Sequence, residues 1–423
     1  MYMRVLWVVN IPCLGLGELL GLPRERAGSG GWLVAAIKEF EKKAGVELAI
    51  VSTAPITDVR KKQEYNITYY LLGGGWPVQY SFKEENNIRQ WQQILDEFKP
   101  DLIQLWGTEF PHAMAAINAA KGVPSLIYVQ GIKGAIARYY LGGMTPEELK
   151  SSRTWKTILF RKGIRDKQKE FYKHAQFEKE IFEKADYVIG ENDWCEANCL
   201  LLNPNIKYKE SHLPINKVFF AHKWKLKEMQ RHTIFCNASG YPVKGTHMLL
   251  KALAIVKQKY PNVILNIPGI SAWDKADYKV RTEGYYSFLH KQIKALDIAD
   301  NVRFLGMISH EEMANYIERA NVYVMSSCIE NHSSSLIEAM CVGAPCISSM
   351  VGGVHNFVEH KRNGLLYRYD EYPILAKYIM DLFESDLMCE ELSRNALATV
   401  KMARLSYSPY EELSQIYKSI KRD

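Results

Sequence analysis

Short apolar runs that alternate with amphipathic stretches constrain the fold of this chain more than any other feature. Each half of the chain contains five such runs. They lie at 4–10, 46–53, 101–107, 124–131 and 185–192, and at 233–240, 262–269, 301–306, 321–327 and 344–349. Continuous apolar runs are typical of parallel strands that are buried on both faces. Strands separated by helical stretches therefore predict an α/β fold built from two doubly wound parallel sheets.

The domain borders are predicted from one polar segment and from the chain length. A chain of 423 residues is long enough for two or three domains. The segment 203–219 contains two prolines and no clear periodicity, so it separates the two halves. We predict a Rossmann-like domain over 1–212 and a second over 213–404. The tail 405–423 holds a last helix with no strand after it, which we expect to cross back onto the first domain.

Composition excludes several classes of protein. Hydrophobic residues make up 47% and charged residues 24%, as in ordinary soluble proteins. The eight cysteines form no CxxC pair and no zinc-spaced cluster, which predicts reduced thiols in a cytoplasmic protein. No uncharged apolar stretch reaches the roughly 18 residues of a membrane span. Gly15, Gly17 and Gly21 follow the first strand, but the third glycine is one place late for a dinucleotide fingerprint, so NAD binding is not predicted.

The most informative segment is 326–367. Glu330 follows the strand run 321–327, and Glu338 lies in the first turn of the helix predicted next. The free N–H groups of a helix start, with the helix dipole, form an anion site. The small polar residues beside them are Asn331, Ser333, Ser334 and Ser335. Carboxylates accept hydrogen bonds from sugar hydroxyls, so two acids around an anion site fit a nucleotide-sugar. A local alternative is a capping box from Ser335 to Glu338, which would only start a helix.

This segment resembles the E-x7-E region of family 4 glycosyltransferases. The matching residues occur in the family's order: Glu330, Glu338, Ala339, Met340, Gly343, Pro345, Gly352, Gly353, Val354, Asn363 and Gly364. The resemblance implies the GT-B fold, in which two Rossmann-like domains face each other across a cleft. It implies a retaining, metal-independent sugar transfer from a nucleotide-diphosphate sugar. In that reaction Glu330 would position the donor sugar and Glu338 the ribose.

Further matches to the family lie outside this segment. Lys244, followed by Gly245, matches the family's Lys-Gly at a helix start, which implies that Lys244 contacts the donor diphosphate. The family commonly has an Arg five or six residues earlier, where this chain has Ala238 and Ser239. His355 and Asn356 also depart from the family's usual Pro and Glu. The resemblance adds these donor-binding candidates: Ser239, the base-edging pair Gly306 and Met307, and the close-approach glycines Gly30 and Gly31.

The loops 105–112 and 128–134 of the first domain follow strands, so they lie where ligands bind in open α/β sheets. Their polar and aromatic side chains are candidates for binding the sugar acceptor: Trp106, Glu109, His112 and Gln130. We predict catalytic roles for Glu109 and His112. A structural or capping role for His112 is the alternative.

The segment 132–175 concentrates the positive charge of the chain. It contains eleven Lys or Arg residues and four acidic residues, with aromatic residues between them. Its excess of seven positive charges equals the net charge of the whole chain, which is +7. This composition is typical of a segment that lies on an anionic membrane surface. A solvated helix face is the alternative, and no motif supports nucleic-acid binding.

These features together predict a glycosyltransferase that needs no cofactor. The sequence has no Asp-x-Asp, so no metal is predicted, and Lys244 with the helix-start amides would meet the charge of the leaving diphosphate. The resemblance is strongest to bacterial polysaccharide-assembly enzymes, which favours a lipid-linked glycan acceptor and a place on the inner face of the membrane. The alternatives are a nucleotide-sugar epimerase of the same fold and a non-catalytic, two-lobed sugar-binding protein.

Overall fold

The computed structural model describes residues 2–22, 31–41, 43–81, 83–237, 240–269, 280, 282–404 and 407–421. Its strands are β1 (Met3–Val9), β2 (Val46–Thr53), β3 (Arg60–Glu64), β4 (Ile67–Leu72), β5 (Leu102–Trp106), β6 (Ser125–Tyr128), β7 (Tyr187–Gly190), β8 (Lys207–Glu210), β9 (Gln230–Phe235), β10 (Ile264–Pro268), β11 (Val302–Gly306), β12 (Ala320–Met325), β13 (Cys346–Ser349) and β14 (Leu365–Tyr367).

The helices alternate with these strands along most of the chain. They are α1 (Gly15–Glu18), α2 (Gly31–Phe40), α3 (Glu85–Phe98), α4 (Pro111–Ala119), α5 (Lys133–Tyr139), α6 (Pro146–Ser151), α7 (Trp155–Leu159), α8 (Ile164–Lys184), α9 (Asp193–Leu202), α10 (Val218–Ala221), α11 (Thr246–Lys259), α12 (Gly284–Ala295), α13 (His310–Arg319), α14 (Ser334–Val342), α15 (Tyr372–Glu384), α16 (Asp386–Arg404) and α17 (Pro409–Ile420). Among the described residues, no helix is both long and apolar enough to cross a bilayer.

The chain divides into two compact units, each with its own sheet. The first unit comprises Met1–Gly134, Tyr172–Pro214 and Tyr407–Asp423, and the second comprises Ala135–Phe171 and Ile215–Ser406. The predicted first domain covers all of 1–212, whereas the structure groups Ala135–Phe171 with the second unit. The reason is apolar packing. The side chains of this segment that join the core of the second unit are Tyr140, Met144, Leu149 and Ile164.

The first sheet has the strand order β3-β4-β2-β1-β5-β6-β7-β8. All its neighbouring pairs are parallel except β3 and β4, which form an antiparallel hairpin at one edge. The predicted strand runs form its centre, and their side chains are almost entirely buried. The strand order reverses between β1 and β5, so the loops that follow these two strands flank the point where α/β sheets bind ligands.

The last helix, α17, packs on the first unit, as predicted. Its Tyr417 is fully buried and accepts a hydrogen bond from the indole N–H of Trp7 on β1 at 3.0 Å. The Tyr417 hydroxyl donates in turn to Gln104 on β5 at 2.6 Å. A helix with no strand after it thus becomes part of a core built from the first residues of the chain.

The second sheet has the strand order β11-β10-β9-β12-β13-β14, and all its neighbouring pairs are parallel. The order reverses between β9 and β12. The loops after β9 and β12 therefore start side by side at the carboxyl edge of the sheet. Lys244 lies in the first of these loops and Glu330 in the second, so the topology itself brings the two predicted residues to one place.

A buried histidine fastens the segment Ala135–Phe171 to this unit. The His247 Nε2 atom donates to the Gly142 carbonyl at 2.9 Å, and Nδ1 lies 2.9 Å from the Tyr285 hydroxyl. His247 is fully buried, and this burial lowers its pKa from 6.5 to about 4. The unfolded chain therefore binds more protons than the folded one between these two pH values, and acid destabilises the fold.

We expect the free energy of unfolding to fall by about 2 kcal/mol between pH 7 and pH 5 through His247 alone, because each pKa unit corresponds to about 1.4 kcal/mol. Urea unfolding at both pH values measures this. His247→Gln removes the titrating group, so its free energy of unfolding should fall by about 2 kcal/mol less between pH 7 and pH 5 than that of the wild type. The exposed His355, replaced by Gln, is the control and should leave the profile unchanged. Equal profiles for all three proteins would contradict this role of His247.

Candidate active site

Two glycines allow neighbouring backbone segments to approach the loop after β12 closely from both sides. Gly245 has φ 68°, and a Cβ there would lie 1.8 Å from the Ser326 carbonyl oxygen. Gly352 has φ 52°, and its Cβ would lie 1.7 Å from the Glu330 carbonyl oxygen. Only a residue without a side chain permits such approaches. The backbone of the loop 326–330 is thus enclosed between the segments at 242–245 and 349–353.

Hydrogen bonds complete this enclosure. The Cys328 N–H donates to the Val243 carbonyl at 2.7 Å, and the Ser326 hydroxyl donates to the Lys244 carbonyl at 2.9 Å. On the other side, the Gly353 N–H donates to the Glu330 carbonyl at 3.2 Å. These contacts fix the backbone next to Lys244 and next to Glu330. The fixed backbone limits where each of the two side chains can lie.

Lys244 and Glu330 form an ion pair at this edge of the sheet. The Lys244 Nζ lies 2.6 Å from the Glu330 Oε1, and the Ser327 hydroxyl donates to the same oxygen at 2.6 Å. Burial lowers the pKa of Lys244, but the adjacent Glu330 carboxylate outweighs it, so the net pKa lies above its ordinary value. Lys244 therefore keeps its charge in a partly buried place. Ser327 was not singled out in the sequence, where it is one of several serines near the acids.

The helix α14 begins directly after this pair. Ser333 is its N-cap and makes no capping hydrogen bond through its side chain, while Ser334 and Ser335 are its first two residues. Ser335 therefore lies inside the helix and does not cap it, so the capping-box alternative is wrong. The first N–H groups of a helix have no intrahelical acceptor, and here they lie in the same loop as Glu330. We predict that an anion binds at these N–H groups.

Glu338 is an acidic residue of α14 that has no partner among the described residues. It lies on α14, is half-buried, and makes no hydrogen bond or ion pair with any other described residue. Burial raises its pKa to about 8, so the carboxyl is largely protonated at neutral pH. A half-buried carboxyl with a strongly raised pKa at the ligand-binding edge of a sheet is a candidate functional group.

The other donor-binding candidates of the second unit are placed as follows. Gly306 ends β11 with φ 67°, and Met307 after it is exposed. Asn331 is buried in the loop between Glu330 and α14. Ser239 lies outside the described residues, as does Gly30 of the first unit, whereas Gly31 is the first residue of α2.

In the first unit, Glu109 follows β5 and is held by its neighbours. Its Oε2 accepts from the Thr108 N–H at 3.0 Å, and its Oε1 lies 3.3 Å from the Lys133 Nζ. Burial raises the pKa of Glu109, but Lys133 and the backbone donors outweigh it, so the carboxylate stays ionised. The charge of Glu109 is therefore compensated within the first unit.

Glu178 on α8 binds the residues around Glu109, and it was not among the candidates named from the sequence. It accepts from the Lys133 and Gly134 N–H groups at 2.9 and 3.0 Å and from the Thr108 hydroxyl at 3.2 Å. Its side chain is 1% exposed, and burial raises its pKa to about 7. Glu178 is one of many charged residues on a long amphipathic helix, so nothing in the sequence distinguishes it.

Two candidates of the first unit are placed in the interior. His112 is fully buried, its Nε2 donates to the Val9 carbonyl at 3.1 Å, and burial lowers its pKa to about 4. This geometry corrects the catalytic role that we predicted for His112 and agrees with the structural alternative. Trp106 is also buried, and its ring stacks on Tyr128 with 4.4 Å between centroids. Burial therefore removes Trp106 from the candidates for acceptor binding. Gln130 is partly exposed.

A family model described as glycosyl transferases group 1 matches residues 219–399. This range contains Lys244, Glu330 and all of α14. An uncharacterised glycosyltransferase of Haemophilus influenzae is 31% identical over 156 residues, which are 37% of this chain and 40% of that protein. A D-inositol 3-phosphate glycosyltransferase of Streptomyces avermitilis is 28% identical over 37% of this chain and 33% of that protein. The match thus spans well under half the length of either relative.

Solved structures match over nearly the whole chain. A sucrose-phosphate synthase of Thermosynechococcus elongatus has a TM-score of 0.70 at 17% identity and covers 99% of both chains. Anabaena HepE in complex with UDP-glucose has a TM-score of 0.65 at 16% identity and covers 100% of both chains. These likenesses confirm the predicted GT-B fold, with two Rossmann-like domains, for this chain.

Proposed function

We propose that this protein is a glycosyltransferase that takes its sugar from a nucleotide-diphosphate sugar. The single observation that carries the proposal is the group formed by Lys244, Glu330, the start of α14 and Glu338 at one edge of the second sheet. It offers a cation and free N–H groups for a diphosphate, with one acid on each side for hydroxyls. The group 1 model over 219–399 and the UDP-glucose bound to HepE support this donor class.

Each residue has a role that follows from its chemistry. Lys244 and the N–H groups of Ser334 and Ser335 stabilise the negative charge that grows on the leaving diphosphate. Glu330 accepts hydrogen bonds from hydroxyls of the donor sugar, while Ser327 holds its carboxylate. Glu338 binds the ribose hydroxyls. Its raised pKa follows from burial without a partner, so hydroxyls that donate to its carboxylate would lower it.

We propose that the reaction retains the configuration at the anomeric carbon. The acceptor hydroxyl attacks this carbon from the face that the diphosphate leaves, and a diphosphate oxygen takes the hydroxyl proton. The bond from the anomeric carbon to the diphosphate oxygen breaks, and a bond to the acceptor oxygen forms. His112 takes no part because it is fully buried. Glu109, at the end of β5, is our remaining candidate for an acceptor-binding group in the first unit.

The acceptor that we propose is a lipid-linked glycan in surface polysaccharide assembly. The support is the excess of positive charge in 132–175, which would hold a cytoplasmic enzyme against the anionic inner leaflet where such acceptors reside. A protein held on this surface meets a membrane-bound acceptor without having to extract it from the bilayer.

A thermal-shift panel of UDP, GDP, ADP and their sugar conjugates tests the donor class. A ligand at a hundredfold excess over its Kd stabilises the folded state by about 2.7 kcal/mol. We expect one base to give a clear shift, and Lys244→Ala to weaken that shift because the diphosphate loses its cation. If no nucleoside diphosphate or conjugate raises the melting temperature of the wild-type chain, the proposed function is wrong.

A further inference from the structure

The helix α7 and the residue after it expose four large apolar side chains. Trp155, Ile158, Leu159 and Phe160 are 70%, 63%, 65% and 53% exposed. Scattered exposed apolar residues are common, but a contiguous group of large ones marks an interaction surface. We name residues 154–162, which carry this group, the apolar segment.

The fold of the second unit holds the apolar segment outward. Thr154 and Thr157 form a capping box at the start of α7, and the Lys162 N–H donates to the Thr157 carbonyl at 3.0 Å. The Lys162 carbonyl in turn accepts from the Gly284 N–H at 3.2 Å. On the preceding side, the Lys291 Nζ donates to the Ser151 carbonyl at 2.5 Å. Hydrogen bonds thus hold both ends of the apolar segment to the second unit. The fold itself therefore keeps the apolar side chains exposed.

A basic cavity adjoins both ends of the apolar segment. It has a volume of about 340 Å³ and is lined by Arg153 before the segment and Gly163 after it. Its other cationic lining residues are Lys150, Arg165 and Lys169. None of these four basic side chains forms an ion pair with a described residue. The lining carboxylate, Asp166, accepts from the Gly163 N–H at 3.2 Å. The cavity therefore attracts an anion.

We propose that α7 inserts its apolar side chains into the interface of an anionic lipid bilayer while the cavity binds the phosphate of a lipid headgroup. The inference rests on the proposed function for the presence of a membrane-bound acceptor, and it names the residues that hold the enzyme at the membrane. Apolar and aromatic side chains beside a cluster of Lys and Arg are the combination that binds anionic bilayers. A phosphate in solution would satisfy the cations but leave Trp155 and Phe160 in water.

Flotation of the full chain with vesicles tests this at low salt. We expect binding to phosphatidylglycerol-containing vesicles and little binding to pure phosphatidylcholine. Arg165→Gln with Lys169→Gln should weaken binding about thirtyfold, since each basic residue near an anionic surface contributes about a factor of five. Trp155→Ser with Ile158→Ser should weaken it while the cavity stays intact. Lys173→Gln with Lys179→Gln removes two exposed charges outside the cavity and should weaken it clearly less.

Three results would overturn the proposal. One is no binding to anionic vesicles, the second is an equal loss in the control pair and the cavity pair, and the third is unchanged binding when the apolar residues are replaced. The last would also be expected if the cavity held only a soluble anion. The nucleotide thermal shift of each variant should match that of the wild-type chain, which shows that the variant is folded. Failure of membrane binding is thereby distinguishable from failure of the proposed donor site.

Discussion

Replacing Lys244 by Ala is expected to slow sugar transfer by about 30- to 1000-fold in kcat/KM, which corresponds to about 2–4 kcal/mol of lost transition-state stabilisation. The variant removes the ammonium group that lies 2.6 Å from Glu330. It leaves the Glu330 carboxylate with the Ser327 hydroxyl as a donor, so a negative charge faces the leaving diphosphate without its cation. We expect Glu338→Ala to cause a loss in the same range because the ribose loses its acceptor.

The control for these variants is Lys251→Ala. Lys251 lies on α11, and its Nζ is 2.7 Å from Glu148 in an ion pair away from Glu330. This variant should transfer sugar at close to the wild-type rate. The rates are measured with the donor that the thermal-shift panel identifies, and each variant is first checked for cooperative unfolding. Rates near wild type for both Lys244→Ala and Glu338→Ala would refute the assignment of these residues.

Gly245→Ala is expected to lower the free energy of unfolding of the second unit by more than about 3 kcal/mol. A non-glycine residue at φ 68° costs roughly 1 kcal/mol by itself. The added Cβ would also lie 1.8 Å from the Ser326 carbonyl oxygen. That oxygen belongs to backbone that the Cys328 N–H and the Ser326 hydroxyl hold in place, so the clash requires the loop to move.

The matched control is Gly269→Ala in the same unit. Gly269 has φ 83°, but a Cβ there would meet no heavy atom of the described residues within 4 Å. Gly269→Ala therefore measures the backbone strain alone, and we expect it to lower the free energy of unfolding by about 1 kcal/mol. Urea unfolding of the two variants and the wild type measures the difference. An equal loss in both variants would show that the close approach at Ser326 does not constrain the loop.

The strands at the centre of both sheets could be predicted because burial on two faces leaves an uninterrupted apolar run, as in β1 and β12. The edge strand β3 could not, since Arg60–Glu64 is entirely polar or charged and joins the sheet by antiparallel pairing with β4. The packing of Ala135–Phe171 on the second unit could not be predicted from the sequence either. Its apolar residues pack on elements such as α11 that lie about a hundred residues further on.

The candidate site was predictable in its residue types but not in its geometry. The two acids and the serines could be named because they follow the apolar run 321–327, and Lys244 because it matches the Lys-Gly of the family that the chain resembles. The ion pair between Lys244 and Glu330 joins residues 86 positions apart, and it depends on the close approach at Gly245. The burial of Glu178 was not predictable either, because it lies among charged residues on a long helix. His112 lies among apolar residues at the start of α4, so the sequence left its structural role open beside the catalytic one.

The most direct test of the account is a crystal structure of this chain soaked with the nucleotide-diphosphate sugar that gives the largest thermal shift. We predict that the diphosphate contacts the Lys244 ammonium and the first N–H groups of α14. The ribose hydroxyls should lie within hydrogen-bond distance of the Glu338 carboxyl and the donor sugar within that of Glu330. A ligand bound at any place where neither carboxyl can reach it would contradict the account.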